Sequence, residues 1–329
     1  MKRLRTPPRT CAAAILVGFI LCCSQAAAEP ANMMPEWLVE GGYGVAVEPS
    51  EDRSWSSERT LDAAVGTSPW QPTVPQDVWE WRLLPDGLMY PAYLAGGRES
   101  RFATHWVDGG ELGPLWDVTL GGRVGILRFG SPGPIRPEGW QIDVEGAAFP
   151  RLALDYDRDL LGVDFRFGVP LTLRRGPLEV KLAYFHLSSH MGDELLLKDP
   201  DAVRINYVRD ALVLGLSVYP RHNLRLYGEA GWAFYIDGGA RPWEFQVGVD
   251  MAPTHPTGFR GAPFVAVNGR LRQENDFGGN LTVQAGWMWR SEAGRTLRGG
   301  FHFFQGQAEQ FQWFERHERL VGGGLWYDF

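Results

Sequence analysis

Residues 224–237 read LRLYGEAGWAFYID. In an extended chain successive side chains point to opposite faces. Leu224, Leu226, Ala230, Trp232, Phe234 and Ile236 then share one side, and Arg225, Tyr227, Glu229, Tyr235 and Asp237 the other. The pattern returns downstream, where Trp243, Phe245, Val247, Val249 and Met251 alternate with Glu244, Gln246, Gly248 and Asp250. Upstream, Val163, Phe165, Phe167, Val169 and Leu171 oppose Asp164, Arg166 and Gly168, and Trp116, Val118, Leu120, Val124 and Ile126 oppose Asp117, Thr119 and Arg123. Such alternation marks strands with one face in an apolar medium and the other in a polar one.

A soluble sandwich alternates as well, so length and punctuation decide. The segments run for roughly 10–15 residues, long enough for a tilted strand to cross a bilayer. Trp243, Trp287 and Trp289 stand at strand ends. The chain stops on GGGLWYDF, with Tyr327, Leu325 and Val321 on the face of Phe329. That ending resembles the terminal-Phe signal by which outer-membrane barrels engage the barrel assembly machinery. Segments start near residues 98, 114, 139, 160, 178, 203, 222, 242, 260, 279, 295 and 319. The expected architecture is all-β, a transmembrane antiparallel β-barrel of about twelve strands. An even number closes every edge and returns both chain ends to one side.

The N-terminus supplies the compartment. Lys2, Arg3, Arg5 and Arg9 precede the apolar run CAAAILVGFILCC, and Ala26-Ala27-Ala28 follows as a cleavage site. This order is that of a signal peptide, residues 1–28, with an apolar run too short to span a bilayer. Leu21 stands where lipoprotein processing before Cys22 wants a small residue. Cys11, Cys22 and Cys23 all lie in the leader, so the mature chain is expected to need no disulfide. The leader also holds four of the 32 basic residues. The remaining 28 face 39 acidic ones, a balance of −11 that argues against nucleic acid as a partner. Residues 29–97 carry Pro, Ser and charge without period, as in SPWQPTVPQ, and are expected to be a mostly irregular periplasmic segment before a barrel over 98–329.

The blocks LPDGLMYPAYLAGGRESRF, DVEGAAFPRLALD, FRFGVPLT, AYFHLSSHMGDE, NYVRDALVLGLS and RLYGEAGWAFY resemble domain-of-unknown-function family 1207, a bacterial family, from about Trp79 to Asp250. The resemblance implies a secreted protein of the cell outer membrane and supplies no activity.

Within those blocks, FHLSSHMGDE (185–194) concentrates histidine, serine and acid. Val180, Leu182, Tyr184, His186, Ser188 and His190 share the face that begins apolar, which places His186 and Ser188 on the lipid side of a strand near its extracellular end. A hairpin with its tip near Leu196 puts Asn206 opposite His186 and Arg204 opposite Ser188. A register shifted by four puts Asp210 there instead. Serine, histidine and an amide or acid can serve as nucleophile, base and orienter. The arrangement resembles the outer-membrane phospholipase A and lipid A deacylase families, which carry H-x-S-N at a lipid-facing strand end, except that Ser189 stands where they have Asn. The resemblance implies a lipid acyl-ester hydrolase acting on phospholipid or lipopolysaccharide. In such a reaction Ser188 attacks and His186 takes the proton, with Asn206 as the matching orienter. The hairpin itself places Arg204, opposite Ser188, to hold a lipid phosphate and offers the Gly192 N–H to the oxyanion. Asp193 and Glu194 offer hard oxygens to Ca²⁺. His186 and His190 lie about 13 Å apart on a strand, too far to share zinc. GGRVGILRFG lacks the Gly-Lys-Ser/Thr ending of a phosphate loop. Rim histidines, serines and amides also occur without catalysis, and a passive pore or a structural barrel remains open at this point.

Overall fold

The computed structural model describes residues 78–199 and 201–329; the expected leader and the segment up to residue 77 lie outside the described residues. A short strand, β1 (Glu80–Leu83), precedes twelve barrel strands: β2 (Phe102–Asp108), β3 (Pro114–Gly130), β4 (Gly139–Ala153), β5 (Asp159–Arg175), β6 (Leu178–Met191), β7 (Val208–Arg221), β8 (Leu224–Asp237), β9 (Trp243–Met251), β10 (Ala262–Arg272), β11 (Gly279–Arg290), β12 (Thr296–Gln307) and β13 (His317–Asp328). One short helix, α1 (Asp193–Lys198), lies between β6 and β7. Each barrel strand pairs antiparallel with its chain neighbours, and β13 pairs with β2 to close the ring. Among the described residues no helix is long and apolar enough to cross a membrane. The all-β barrel of twelve strands is thus as the alternation implies. The first strand starts at Phe102 rather than near 98, and β7 starts at Val208 rather than near 203.

The polarity of the barrel is inside out. Phe165, Phe167, Leu214, Leu216, Val218, Leu226, Trp232 and Val247 are exposed on its outer face, whereas Arg123, Asp143, Glu145, Asp164, Glu179, Arg225 and Arg298 are buried within. The buried charges are paired across strands, as in Arg123–Asp143 (2.5 Å), Arg166–Glu145 (3.2 Å) and Lys181–Glu229 (2.5 Å). Pairing is what makes such burial tolerable.

Register shifts break the strict alternation read from the sequence, and two of them move side chains that matter here. On β8 the partner of Asp210 is Tyr235 but the partner of Ala211 is Ala233. Phe234 is the extra residue, so Tyr235 joins it on the outer face and Ile236 turns inward against the Ala183–Phe185–Ala211 cluster. Strict alternation along the sequence puts Tyr235 inside and Ile236 outside. On β3 the register shifts between Gly125 and Leu127, so that Arg123 and Arg128, of opposite parity, are both buried inside.

The tail of the expected irregular segment does not lie outside the barrel. β1 pairs with the end of β3, Leu83 facing Leu127. Residues 84–101 then run through the bore. Met89, Tyr90, Tyr93 and Ala95 are fully buried there. Tyr93 stacks on Tyr227 with ring centres 3.8 Å apart and donates to Glu229 (3.0 Å). Wall arginines donate to the backbone of this segment: Arg123 to Tyr90 O, Arg225 to Ala92 O and Arg298 to Leu94 O. At the end opposite the C-terminus the β12–β13 connection folds inward, burying Phe311 and Gln312.

Candidate functional site

β6 carries the opening cluster. Its odd residues, Glu179 to Ser189, are buried inside, and the even ones from Val180 to His190 face out, as the sequence implies. The register with β7 is the shifted one. His186 faces Asp210 and Ser188 faces Val208, so the Asn206–His186 and Arg204–Ser188 pairings are not formed. The cause lies in the connection. α1 and residues up to Tyr207 lie before β7, and Tyr207 is pinned over the mouth of the barrel. Its ring stacks on Phe311 (4.6 Å), its hydroxyl donates to Glu274 (2.8 Å), and its carbonyl accepts from the Ser189 N–H (3.1 Å). Burial pushes the Tyr207 phenol pKa up. Lys198 closes α1 onto the start of β5 by donating to Asp159, a bond that raises the ammonium pKa.

His186 Nδ1 lies 2.7 Å from Asp210 Oδ1. The Tyr184 hydroxyl, two residues earlier on the same face, donates to the same oxygen at 2.9 Å. With the Nδ1 proton donated to the carboxylate, Nε2 is left as the acceptor. The His186 side chain is 41% exposed and that of Asp210 22%, so both are reachable from outside the barrel. Ser188 shares their face, and among the described residues no hydrogen bond joins it to His186. Phe167 of β5 flanks His186 on the other side, and the β8 bulge brings Tyr235 beside Asp210.

The other sequence candidates are scattered. Asn206 donates to Asp237 Oδ2 (2.9 Å) and does not reach His186. Arg204 Nη2 lies 3.2 Å from His190 Nδ1. The Gly192 N–H is already engaged by Leu161 O (2.8 Å) and faces no oxyanion. Asp193 and Glu194 occupy the first turn of α1. Among the described residues no three of His, Cys, Asp and Glu gather into a metal site. Tyr184 was not singled out from the sequence. Its signal was its parity, because a phenol two residues before a histidine on one strand face can share that histidine's partner.

No curated protein showed a significant match to this chain. The family described as "Protein of unknown function (DUF1207)" matches residues 46–329, well beyond the stretch whose blocks carry the resemblance, and the chain belongs to that family.

Proposed function

We propose that the protein is an exported outer-membrane barrel that hydrolyses acyl esters of membrane lipids at its outer surface, with Ser188 as nucleophile, His186 as base and Asp210 as the group that orients the base. The apolar outer face supports placement in a bilayer, because a folded protein in water rarely exposes so much contiguous apolar surface. One observation carries the chemistry: the 2.7 Å contact of His186 with Asp210 on that outer face, with Ser188 two residues further along it. A carboxylate facing lipid is costly unless satisfied, and this one accepts from both Tyr184 and His186.

In the reaction Ser188 turns its hydroxyl to His186 Nε2 and gives up its proton as Oγ attacks the ester carbonyl carbon. Asp210 holds the ring and stabilises the imidazolium. Collapse of the tetrahedral intermediate breaks the acyl–oxygen bond, and His186 protonates the departing alcohol. Water, deprotonated by His186, then releases the fatty acid from Ser188. The filled bore argues against a passive pore, since residues 84–101 occupy the path that water needs.

The test is fatty-acid release from phospholipid and lipid A micelles by purified protein, with and without Ca²⁺. Release by the wild type and its loss in Ser188→Ala, with the barrel still heat-modifiable on a gel, supports the reading. Equal background from both proteins on both lipid classes removes it.

A further inference from the structure

The barrel wall has an opening beneath β2. β2 pairs with β3 only between Pro114 and Leu120, and β1 takes up the same edge again only at Leu127–Gly130. Between them the edge of β3 has no strand partner on that side; Leu84 N–H donates to Ile126 O at its margin. The opening is lined by Gly122 and Val124 of β3, Gly146 of β4, Phe167 of β5, Leu88 of the lumen segment and Phe329. The ring of Phe329 lies against Gly122, where an added Cβ would stand 3.1 Å from it. Unpaired strand edges are avoided in hydrocarbon, so a gap here asks for an occupant with polar atoms to offer.

Behind the opening, at the end of the barrel that bears the C-terminus, lies a basic vestibule. Arg136, Arg174, Arg225 and Arg290 line it against Asp250 and Asp328. The two cavities meet, since Gly87, Leu88 and Phe329 line both. Arg174 and Arg225 are buried. Arg174 stands 3.3 Å from Glu179 through Nη1 and keeps its Nη2 without a hydrogen-bond partner, and Arg225 meets Glu179 only at 3.3 Å through an Nη2 that makes no hydrogen bond. Arg290 donates to the carbonyls of Pro253 and Gly294 and makes no ion pair among the described residues.

We propose that the opening is a lateral access route by which an anionic phospholipid seats its phosphate among Arg174, Arg225 and Arg290, leaving its acyl chains outside against Val124 and Phe167. Charge complementarity selects the occupant: guanidinium forks match phosphate oxygens, and the apolar outer wall matches chains. The headgroup also brings polar atoms and water to the bare edge of β3. The site shares with the hydrolase reading only the bilayer, and Ser188 takes no part in it.

The experiment is native mass spectrometry and equilibrium binding on the purified barrel in detergent. The probes are phosphatidylglycerol, phosphatidylcholine and inorganic phosphate. Phosphatidylglycerol is expected to bind about tenfold more tightly than phosphatidylcholine, and to lose about tenfold in both Arg290→Gln and Gly122→Leu. Inorganic phosphate, which needs no lateral route, should bind more weakly, respond to Arg290→Gln and ignore Gly122→Leu. Equal binding of the two lipids, or phosphatidylglycerol binding indifferent to both variants, overturns the proposal. So does inorganic phosphate binding as tightly as the lipid. Arg290→Lys and Gly122→Ala provide milder substitutions should either variant fail to fold. Ser188→Ala should bind phosphatidylglycerol as the wild type does, so loss of the hydrolase reading leaves this result standing.

Discussion

Arg151 of β4 grips Glu318 of β13 through both carboxylate oxygens, at 2.8 and 3.0 Å, with the whole width of β3 and β2 between their strands. The other side of the guanidinium donates twice to Asp117 of β3, each bond 2.7 Å. One side chain thus ties three strands across the seam that the short β2 closes. Arg151→Met leaves Asp117 without its cation and buried Glu318 with Arg316 alone. Removing one partner of a buried pair typically costs about 3–5 kcal/mol. The variant should unfold at clearly lower urea concentration in detergent, read as loss of the compact band on an unheated gel.

The register of β6 on β7 separates two candidates that the sequence left side by side. Asp210→Asn should reduce fatty-acid release by about 10³–10⁴-fold, because an amide no longer fixes the productive tautomer of His186. Tyr184→Phe removes one hydrogen bond to Asp210, worth about 1 kcal/mol, and should cost up to about tenfold in rate. Asn206→Ala should leave the rate within about twofold, since Asn206 bonds Asp237 instead. A large loss from Asn206→Ala together with none from Asp210→Asn would falsify the observed pairing.

Trypsin offers a direct view of the lumen segment. Arg98 and Arg101 are buried, and Arg101 donates to the carbonyls of Tyr93 and Leu94. Mass spectrometry of tryptic fragments should find the bonds after both arginines intact in the folded protein and cut once it is heated. Cleavage after Arg101 in the unheated barrel would contradict the docking of residues 84–101.

That docking depends on a close approach at Gly248. A Cβ there would stand 2.2 Å from the Tyr227 hydroxyl, which also accepts from Asn268 (2.8 Å). Gly248→Val should drive Tyr227 away and break its stack on Tyr93. The expected result is tryptic cleavage after Arg98 and Arg101 in a barrel that still migrates as folded.

The wall was legible in the sequence and the bore was not. Alternation with period two reports which face a side chain takes, so Val247 outside and Asp250 inside followed at once. Bulges add one residue without altering composition, and the inward turn of Ile236 escaped for that reason. The lumen segment escaped because Tyr90 and Tyr93 bury their rings in a polar, charged interior, where no periodic pattern is required of an irregular chain. The outward placement of His186 and Ser188 was readable from parity alone. Their partner was not, because a hairpin register depends on how the connection is spent, and only the capture of Tyr207 by Phe311 and Glu274 fixes that.

Residues 84–101 are anchored in the wall at both ends, by β1 on one side and by β2 on the other. A chain held in this way behaves like a bound ligand that cannot diffuse off. Its effective concentration at its own docking surface is set by tether length and lies in the mM range for short flexible spans. If heat or a competing molecule peels Tyr93 from Tyr227, the segment has nowhere else to go, and recapture outpaces escape. Lasting vacancy of the bore therefore requires the wall to give first, at the four residue pairs that join β1 to β3.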